Sequence, residues 1–397
     1  MSPRATTPPW PLVALFTAGY LAAYLLPTTV GRLDSALPLT ATEAGAVGSA
    51  LLLGSAMAGF TLAARVDRIG PGRLARAGLL LAAAGYGTAA LTTALPVVVV
   101  GSVLGGFGSG TATAVAARGI AAQRDPHRVS TLGLLGVSAL AGALYLTIPQ
   151  LGPGHGLPLA ALALTALLTW PATSRLTTTT AVRAAQDNGP LPHRRSGLTL
   201  AVTLLLWSLA QNSLWGVSGR IGTTQAGLSE VTVGAVFATA LGAGLLGVLG
   251  AGALGARLGR ALPIGGGTAL IAACIVLSAS ATGLTTFATG EIAWNVLYPV
   301  VLSYLIGLAA SLDPRGRWAV LIGSASSLGT AAGPLTGSLL SAHAGFPAMG
   351  TVLAIGLLLI AVPMTVVARR TTTTTHATYR GQETVEQLEQ TEYRPVA

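Results

Sequence analysis

The sequence has little charge, a single cysteine and no lysine. Only 9% of its 397 residues are charged and 52% are hydrophobic, whereas ordinary soluble domains have about 25% charged residues. This composition argues strongly against a soluble globular fold of this length. With Cys274 alone, an intramolecular disulfide and a cysteine-based metal site are both excluded. The five histidines stand in loops or tails without metal-ligand spacing, so we predict no metal and no cofactor.

The positive charge of the chain comes entirely from arginine. The 22 arginines outnumber the 12 acids and give a net charge of +10. Basic nucleic-acid-binding proteins concentrate such charge on a polar, soluble face, whereas here it falls in short loops and tails between apolar segments. We therefore expect no nucleic-acid partner. Arginine without lysine, beside abundant alanine, glycine and leucine, is typical of a GC-rich bacterial genome.

Twelve apolar segments occupy most of the chain. A membrane helix needs about 20 such residues, and the loops that remain are too short for a soluble catalytic domain, so we do not expect an enzyme. The first segment is too long for a signal-peptide core and is predicted to stay as a membrane helix. The segments cover residues 10–30, 44–64, 77–95, 97–120, 132–148, 157–170, 198–217, 231–254, 263–281, 287–310, 319–340 and 349–367.

The distribution of arginine predicts the orientation in the membrane. Cytoplasmic loops retain Lys and Arg, and placing the N-terminus in the cytoplasm puts 20 of the 22 arginines on that side. Arg32 and Arg220 are left outside, where we favour anchoring at the membrane interface over attraction of an anion. The sequence predicts a multi-pass protein of the bacterial plasma (inner) membrane, inserted in the lipid bilayer, with both termini cytoplasmic.

The two halves of the chain repeat each other at a nearly constant offset. Gly31-Arg32-Leu33 corresponds to Gly219-Arg220-Ile221, 188 residues later, and Gly45-Ala46-Val47 to Gly234-Ala235-Val236, 189 residues later. Such an offset predicts a duplication and hence an all-α polytopic membrane protein with two pseudo-symmetric six-helix bundles. The predicted parts are a cytoplasmic tail (1–9), the first bundle (10–173), a cytoplasmic inter-bundle loop (174–197), the second bundle (198–368) and a cytoplasmic tail (369–397), whose composition favours disorder over a short amphipathic helix.

Two loop motifs resemble the signature of the major facilitator superfamily. Residues 63–73 contain Asp67-Arg68-Ile69-Gly70, and residues 252–260 read Gly-Ala-Leu-Gly-Ala-Arg-Leu-Gly-Arg. Both are similar to the G-x-L-x-D-R-x-G-R motif that this superfamily carries between helices 2 and 3 and repeats between helices 8 and 9. Residues 313–317 and 329–337 are similar to its helix 10–11 loop and helix 11. The resemblance covers the whole chain and implies a twelve-helix transporter of the drug- or metabolite-exporter type.

The resemblance implies that these loops act as a conformational latch. In the superfamily the charge cluster holds the outward-open state against helix 11, and Asp67 can pair with a nearby arginine or with the positive end of a helix. The alternative is that Asp67 is a solvated loop carboxylate. The predicted latch residues are Asp67, Arg68, Gly70, Arg73, Arg257, Gly259 and Arg260.

Small residues and a proline stand at informative places in the spans. Glycines four apart, such as Gly101 and Gly105, let two membrane helices approach closely, and we favour this packing role over a nucleotide loop. Ser102 stands where proton-coupled exporters of the superfamily usually carry an arginine. Gly333 and Pro334 predict a helix bend, because proline removes a backbone hydrogen bond that neighbouring groups must replace.

Glu291 is the acid within an apolar segment that needs an explanation. A charge at the centre of a membrane helix costs roughly 2.5–3.5 kcal/mol on insertion scales. Glu291, Asn295 and Tyr298 follow i, i+4, i+7 spacing and share one helical face. We therefore predict that Glu291 couples transport to protons or substrate. The alternatives are that it reaches the headgroup region or pairs with Arg32 or Arg220.

The central cavity of this fold, built largely from helices 1, 4, 7 and 10, is expected to contain the substrate. Its aromatic and amide candidates, with one acid and no basic cluster, predict a small, largely apolar organic substrate, exported by proton antiport through a monomer. The alternatives are an importer, working as a symporter or facilitator, and less favourably a membrane sensor. Each candidate could instead form a helix–helix hydrogen bond; they are Tyr20, Tyr24, Gln211, Asn212, Trp215, Asn295 and Tyr298.

Overall fold

The computed structural model describes the backbone of residues 9–176, 190–255, 258–313 and 315–392, and the side chains of these ranges except those of residues 253 and 372–392. Within these ranges the chain is helical and contains no strand. Each of the twelve predicted apolar segments overlaps a helix or a bent helix pair. The helices are α1 (Trp10–Tyr24), α2 (Leu26–Ala36), α3 (Ala41–Leu62), α4 (Val66–Ile69), α5 (Pro71–Ala90), α6 (Leu95–Ala121), α7 (Pro126–Thr147), α8 (Gly156–Thr169), α9 (Arg194–Arg220), α10 (Glu230–Leu254), α11 (Ala261–Ala279), α12 (Leu284–Ser311) and α13 (Arg317–Glu392).

Several helix starts follow from local sequence. Thr40 caps α3 in a capping box, in which Thr40 Oγ1 accepts from the Glu43 backbone and a Glu43 carboxylate oxygen accepts from the Thr40 backbone. Ser229 caps α10 in the corresponding place of the second half. Gly70, between α4 and α5, has a backbone φ of +97°, a conformation that residues other than glycine rarely adopt.

The helices are long and apolar enough for a multi-pass membrane protein. Nine of the helices in the described ranges have the length and apolarity of a membrane span, and the number is ten when α1 and α2, which meet at 46°, are taken as one bent span. The part of α13 from Arg317 to Thr371 is 55 residues long. Its non-helical residue is Gly345, with φ 79° and ψ 166°, and the backbone dihedrals stay helical at Gly333 and Pro334, where a bend was predicted.

Glycines allow close packing inside the N-terminal half, as predicted for the fourth segment. A Cβ atom at Gly101 would lie 2.6 Å from the Gly85 carbonyl oxygen. One at Gly105 would enter the ring of Tyr86, and one at Gly106 would overlap the backbone of Leu51. Helices α5, α6 and α3 therefore meet through backbone surfaces, the contact that small residues permit in membranes.

The predicted tails and central loop are only partly described. The helical backbone of α13 continues past Arg369 to Glu392, whereas composition favoured disorder there; the glutamates and glutamines of this stretch are good helix formers. The first tail and most of the inter-bundle loop fall at residues 1–8 and 177–189, outside the described residues.

Candidate functional site

The two halves of the chain, α1–α8 and α9–α13, meet at one face of the molecule. We call this the closed face: it is where α2 and α9 end and α3 and α10 begin. Pro27 near the start of α2 lacks an N–H, so the carbonyl of Ala23 four residues earlier is free. Trp215 of α9 donates its Nε1–H to this carbonyl at 2.9 Å, and the Leu335 backbone of α13 donates to Ser49 Oγ of α3 at 2.9 Å.

Pro334 lies at the centre of this junction. A Cβ atom added to Gly216 of α9 would lie 2.8 Å from Pro334 Cα, and one added to Gly48 of α3 would lie 3.5 Å from Pro334 Cβ. Its neighbour Gly333 packs so closely on α9 that a Cβ atom would lie 2.5 Å from that of Asn212. The structure thus uses the Gly333–Pro334 pair for close packing between helices of both halves.

Arg32 of α2 crosses the closed face to the C-terminal half. Its side chain is buried, and Nη2 lies 2.8 Å from Oε2 of Glu230 on α10. The same guanidinium donates to the backbone carbonyls of Gly152 at 2.7 Å, Gly154 at 3.1 Å and Ile148 at 3.3 Å. Arg32 is therefore fixed to the α7–α8 connection of its own half while it pairs with an acid of the other half.

Arg220 of α9 makes the matching contact in the opposite direction. It is 8% exposed, and Nη1 lies 3.7 Å from Oδ2 of Asp34 in the N-terminal half. Nη2 donates to Ser338 Oγ at 3.2 Å and to Ser341 Oγ at 3.3 Å, both on α13 of its own half. The guanidinium carbon lies 5.7 Å from the centre of the Phe346 ring, within cation–π range.

These two contacts, Arg32–Glu230 and Arg220–Asp34, are named the reciprocal ion pairs. They correct the expectation that Arg32 and Arg220 anchor the protein at the membrane interface, since both side chains are buried between the halves. A buried guanidinium needs an acid and further acceptors to replace its hydration. Each arginine has an acid and at least two oxygen acceptors at its Nη atoms, while its Nε has no partner among the described residues. The duplication predicted the correspondence of the two arginines, but not their partners.

Glu291 is fully buried on α12, two turns from the helix start. Its Oε1 lies 2.8 Å from Ser218 Oγ of α9 and 2.5 Å from Ser278 Oγ of α11. Its Oε2 has no hydrogen-bond partner among the described residues. The carboxyl group therefore neither pairs with Arg32 or Arg220 nor reaches the headgroup region. Serine hydroxyls both donate and accept, so this pocket can hold either the ionised or the protonated form.

The predicted cavity residues of α9 and α12 come together around Trp294. Its indole nitrogen donates to Oε1 of the buried Gln211, and its ring centre lies 5.5 Å from that of Trp215 and 5.9 Å from that of Tyr298. Tyr298 also stacks on Trp207, with ring centres 5.0 Å apart. Trp207, Trp294, Ser218 and Ser278 were not among the predicted residues, since nothing in their spacing distinguishes them from ordinary packing residues.

The remaining cavity candidates serve different purposes. Asn295 donates to the Glu291 backbone carbonyl of its own helix at 3.0 Å. Asn212 donates to the Ser208 carbonyl of its own helix at 2.9 Å and to Thr330 Oγ1 of α13 at 3.3 Å. The backbone carbonyl of Tyr24 accepts a hydrogen bond from the Tyr145 hydroxyl at 2.6 Å. Tyr20 of α1 is 40% exposed beside Phe16, with ring centres 4.5 Å apart. Of these residues, Tyr20 presents the most surface to a ligand.

The predicted latch loops lie at the face opposite the closed face. Asp67 accepts from Arg118 Nε at 3.0 Å and from Nη2 at 2.6 Å, an exposed ion pair between α4 and α6 within one half. Arg68 and Arg73 are exposed, and Arg260 donates to Ser311 Oγ at 2.7 Å. Gly259 has φ +63°, and Arg257 lies outside the described residues.

The α12–α13 connection at the same face is held by its own charges. Arg317, the first residue of α13, donates to Oδ2 of Asp313 at 2.8 Å, and the Arg315 backbone donates to Oδ1 at 3.1 Å. The hydrogen bond from Arg317 holds the pKa of Asp313 below its ordinary value. This acid is therefore ionised at neutral pH and fixes the start of α13.

Comparison with solved structures identifies a protein of similar fold. The structure is similar to the crystal structure of the human organic anion transporter MFSD10 (TETRAN), with a TM-score of 0.65 and 17% sequence identity, over 90% of this chain and 99% of that chain. No protein-family model and no curated protein sequence matches the chain. At this identity the likeness shows the fold, which the chain shares with that transporter over most of its length.

Proposed function

We propose that this protein is a secondary transporter of a small, largely apolar organic compound, working by alternating access. Twelve spans in two six-helix bundles, 10–173 and 198–368, are part of this proposal. Ten spans meet the criteria of length and apolarity when α1 and α2 are joined. Division of α13 at Gly345 adds an eleventh, and the 20-residue α5 adds a twelfth. The transporter is proposed to act as a monomer.

The distribution of arginine supports an orientation with both termini in the cytoplasm of a bacterium. In that orientation the closed face is extracellular, and the described structure is closed towards the outside. The reciprocal ion pairs then form the outer gate, because each joins the two halves at this face. Opening towards the outside requires both pairs to separate.

Glu291 carries the proposal that transport is coupled to protons. It is a fully buried carboxyl group beneath the outer gate, and Oε2 has no partner among the described residues. Ser218, which lies against Oε1, is two residues before the gate residue Arg220 on α9. When the two halves separate at the gate, water can enter beside Ser218 and change the surroundings of the carboxyl group, which is what a site that binds and releases a proton in each cycle needs.

Export by proton antiport has sufficient driving force. One proton moving down about 100 mV supplies about 2.3 kcal/mol, equivalent to a roughly fifty-fold gradient of a neutral substrate. Organic anions, named for the human neighbour, are less suitable for this chain. The two buried arginines among the described side chains, Arg32 and Arg220, are already bound to Glu230 and Asp34.

Transport in proteoliposomes tests this proposal. Purified wild-type protein, Glu291→Gln and the control Glu43→Gln are reconstituted, and accumulation of neutral, anionic and cationic fluorescent dyes is followed under a pH gradient. We expect wild type and Glu43→Gln to accumulate a neutral, apolar dye, and Glu291→Gln to allow only its downhill exchange. If Glu291→Gln accumulates the dye as well as wild type does, Glu291 is not the proton-coupling site. Accumulation in the direction opposite to antiport would favour the importer instead.

A further inference from the structure

A groove of about 360 Å³ lies between the start of α9 and the last part of α13. It is outside the central cavity and opens at the face opposite the closed face. From α9 it is lined by Arg195, Ser196 and Thr199, and from α13 chiefly by Val362, Val366 and Arg370. The proposed transport mechanism uses none of these residues.

The groove is polar at one end and apolar at the other. Arg195 is the second residue of α9, and α13 arrives from the opposite direction, so Arg370 lies at the same end. Val366 stands four residues before Arg370, about one turn deeper, and Val362 stands eight residues before it, about two turns or about 12 Å deeper. Val362 is 65% exposed and Val366 is 40% exposed. Two guanidinium groups therefore lie above an exposed apolar wall.

The charges define what this groove can bind. Two arginines from different helices line it together, and none of the described side chains that line it is acidic. Guanidinium groups bind phosphate oxygens in a bidentate manner, and the hydroxyls of Ser196 and Thr199 can supply further hydrogen bonds. The exposed valines lie where an acyl chain would continue from such a phosphate group into the bilayer.

We propose that this groove binds an acidic phospholipid of the surrounding bilayer. The arginines hold the phosphate group, and the first part of an acyl chain lies along Val366 and Val362. Charge complementarity and the polarity of the groove both support this ligand, since free phosphate would leave the apolar wall uncovered. Basic pockets between membrane helices are known to bind anionic headgroups in this way.

Native mass spectrometry of the full chain, released from vesicles of phosphatidylcholine with phosphatidylglycerol, tests the proposal. We expect wild type to retain phosphatidylglycerol, and Arg195→Gln/Arg370→Gln to retain roughly tenfold less. The control Arg194→Gln/Arg369→Gln removes the same charge from adjacent positions that do not line the groove and should retain as much lipid as wild type. Each single groove variant gives a second measurement if the double variant folds poorly.

The outcomes separate the possible ligands. Equal loss of lipid in the groove and control variants would mean attraction by the whole basic face and would overturn the site. Full retention of phosphatidylglycerol in the groove variants would also overturn the site. Displacement of phosphatidylglycerol by millimolar inorganic phosphate would assign a free-anion site instead. The readout is binding, so it stands apart from the transport assay and from any failure of the antiport proposal.

Discussion

Arg32 and Glu230 are joined by a 2.8 Å ion pair between α2 and α10, although 198 residues separate them in the chain. Arg32 is also bound to three backbone carbonyls of its own half, and it stays fixed if the pair separates. The Glu230 side chain is 44% exposed, so water can solvate the carboxylate at small cost when the halves move apart. This asymmetry suits a reversible gate better than a permanent structural bridge.

The first prediction concerns this gate. Glu230→Gln removes the charge that Arg32 binds across the closed face, and it should shift the protein towards opening on that side. Because the Glu230 side chain is 44% exposed, the ion pair is worth about 1 kcal/mol, so we expect a roughly fivefold faster reaction at Tyr20→Cys with an impermeant thiol reagent added from outside. The measurement uses a Cys274→Ala background.

Glu43→Gln is the matched control for that experiment. Glu43 is also an acid at the closed face, but it binds Thr40 of its own helix cap and does not bridge the halves. It should leave the labelling rate of Tyr20→Cys unchanged. Equal labelling of wild type and Glu230→Gln would show that the ion pair does not control opening.

The second prediction is the topology. With the closed face outside, single cysteines at Thr282 and Ala344, both exposed in the structure, should react with an impermeant reagent in intact cells. A cysteine at Pro314, beside the arginines of the α12–α13 connection, should react only after the cells are opened. All three are made in the Cys274→Ala background. The reverse pattern would invert the orientation and would place the gate in the cytoplasm.

The sequence could predict local features of the chain, but it could not predict contacts between residues that are distant in the sequence. Apolar runs predicted the helices because hydrophobicity is a local signal, and the duplication placed Arg32 opposite Arg220. Their acids could not be found, since Glu230 and Asp34 lie in unrelated parts of the repeat. Helical spacing could place Glu291, Asn295 and Tyr298 on one face, yet only the fold shows the buried carboxyl group between three helices.

The third prediction concerns Asp67. Both side chains of its ion pair with Arg118 are exposed, and such exposed pairs contribute at most about 1 kcal/mol to stability. Asp67→Asn should therefore reach the membrane in nearly normal amounts. If the loop latches the outward-open state, as the superfamily resemblance implies, transport falls severely. Transport at the wild-type rate, measured against expression in the same vesicles, would make Asp67 a solvated loop carboxylate.

The fourth prediction compares two glycines that stand on adjacent helices. A Cβ atom at Gly106 of α6 would overlap the Leu51 backbone, whereas one at Gly59 of α3 would meet nothing within 4 Å. Forcing extra volume into a packed interior costs about 1–3 kcal/mol, while alanine favours a helix over glycine by about 1 kcal/mol. Gly106→Ala should lower the melting temperature in detergent, and Gly59→Ala should keep or raise it. Equal melting temperatures would contradict the close packing of α3 on α6.

The last prediction concerns the reach of the carboxyl group at position 291. Glu291 Oε1 lies 2.8 Å from Ser218 Oγ and 2.5 Å from Ser278 Oγ, on two different helices. Glu291→Asp keeps an ionisable group but shortens the side chain by one methylene, so the carboxyl group can no longer contact both serines in the same geometry. Under a pH gradient in proteoliposomes we expect Glu291→Asp to retain part of the wild-type accumulation and Glu291→Gln none, with downhill exchange preserved in both. If Asp and Gln lose accumulation equally while exchange persists, the geometry of the two serines is essential as well as the proton; if both variants accumulate dye like wild type, Glu291 is only a structural acid and proton antiport loses the residue that carries it.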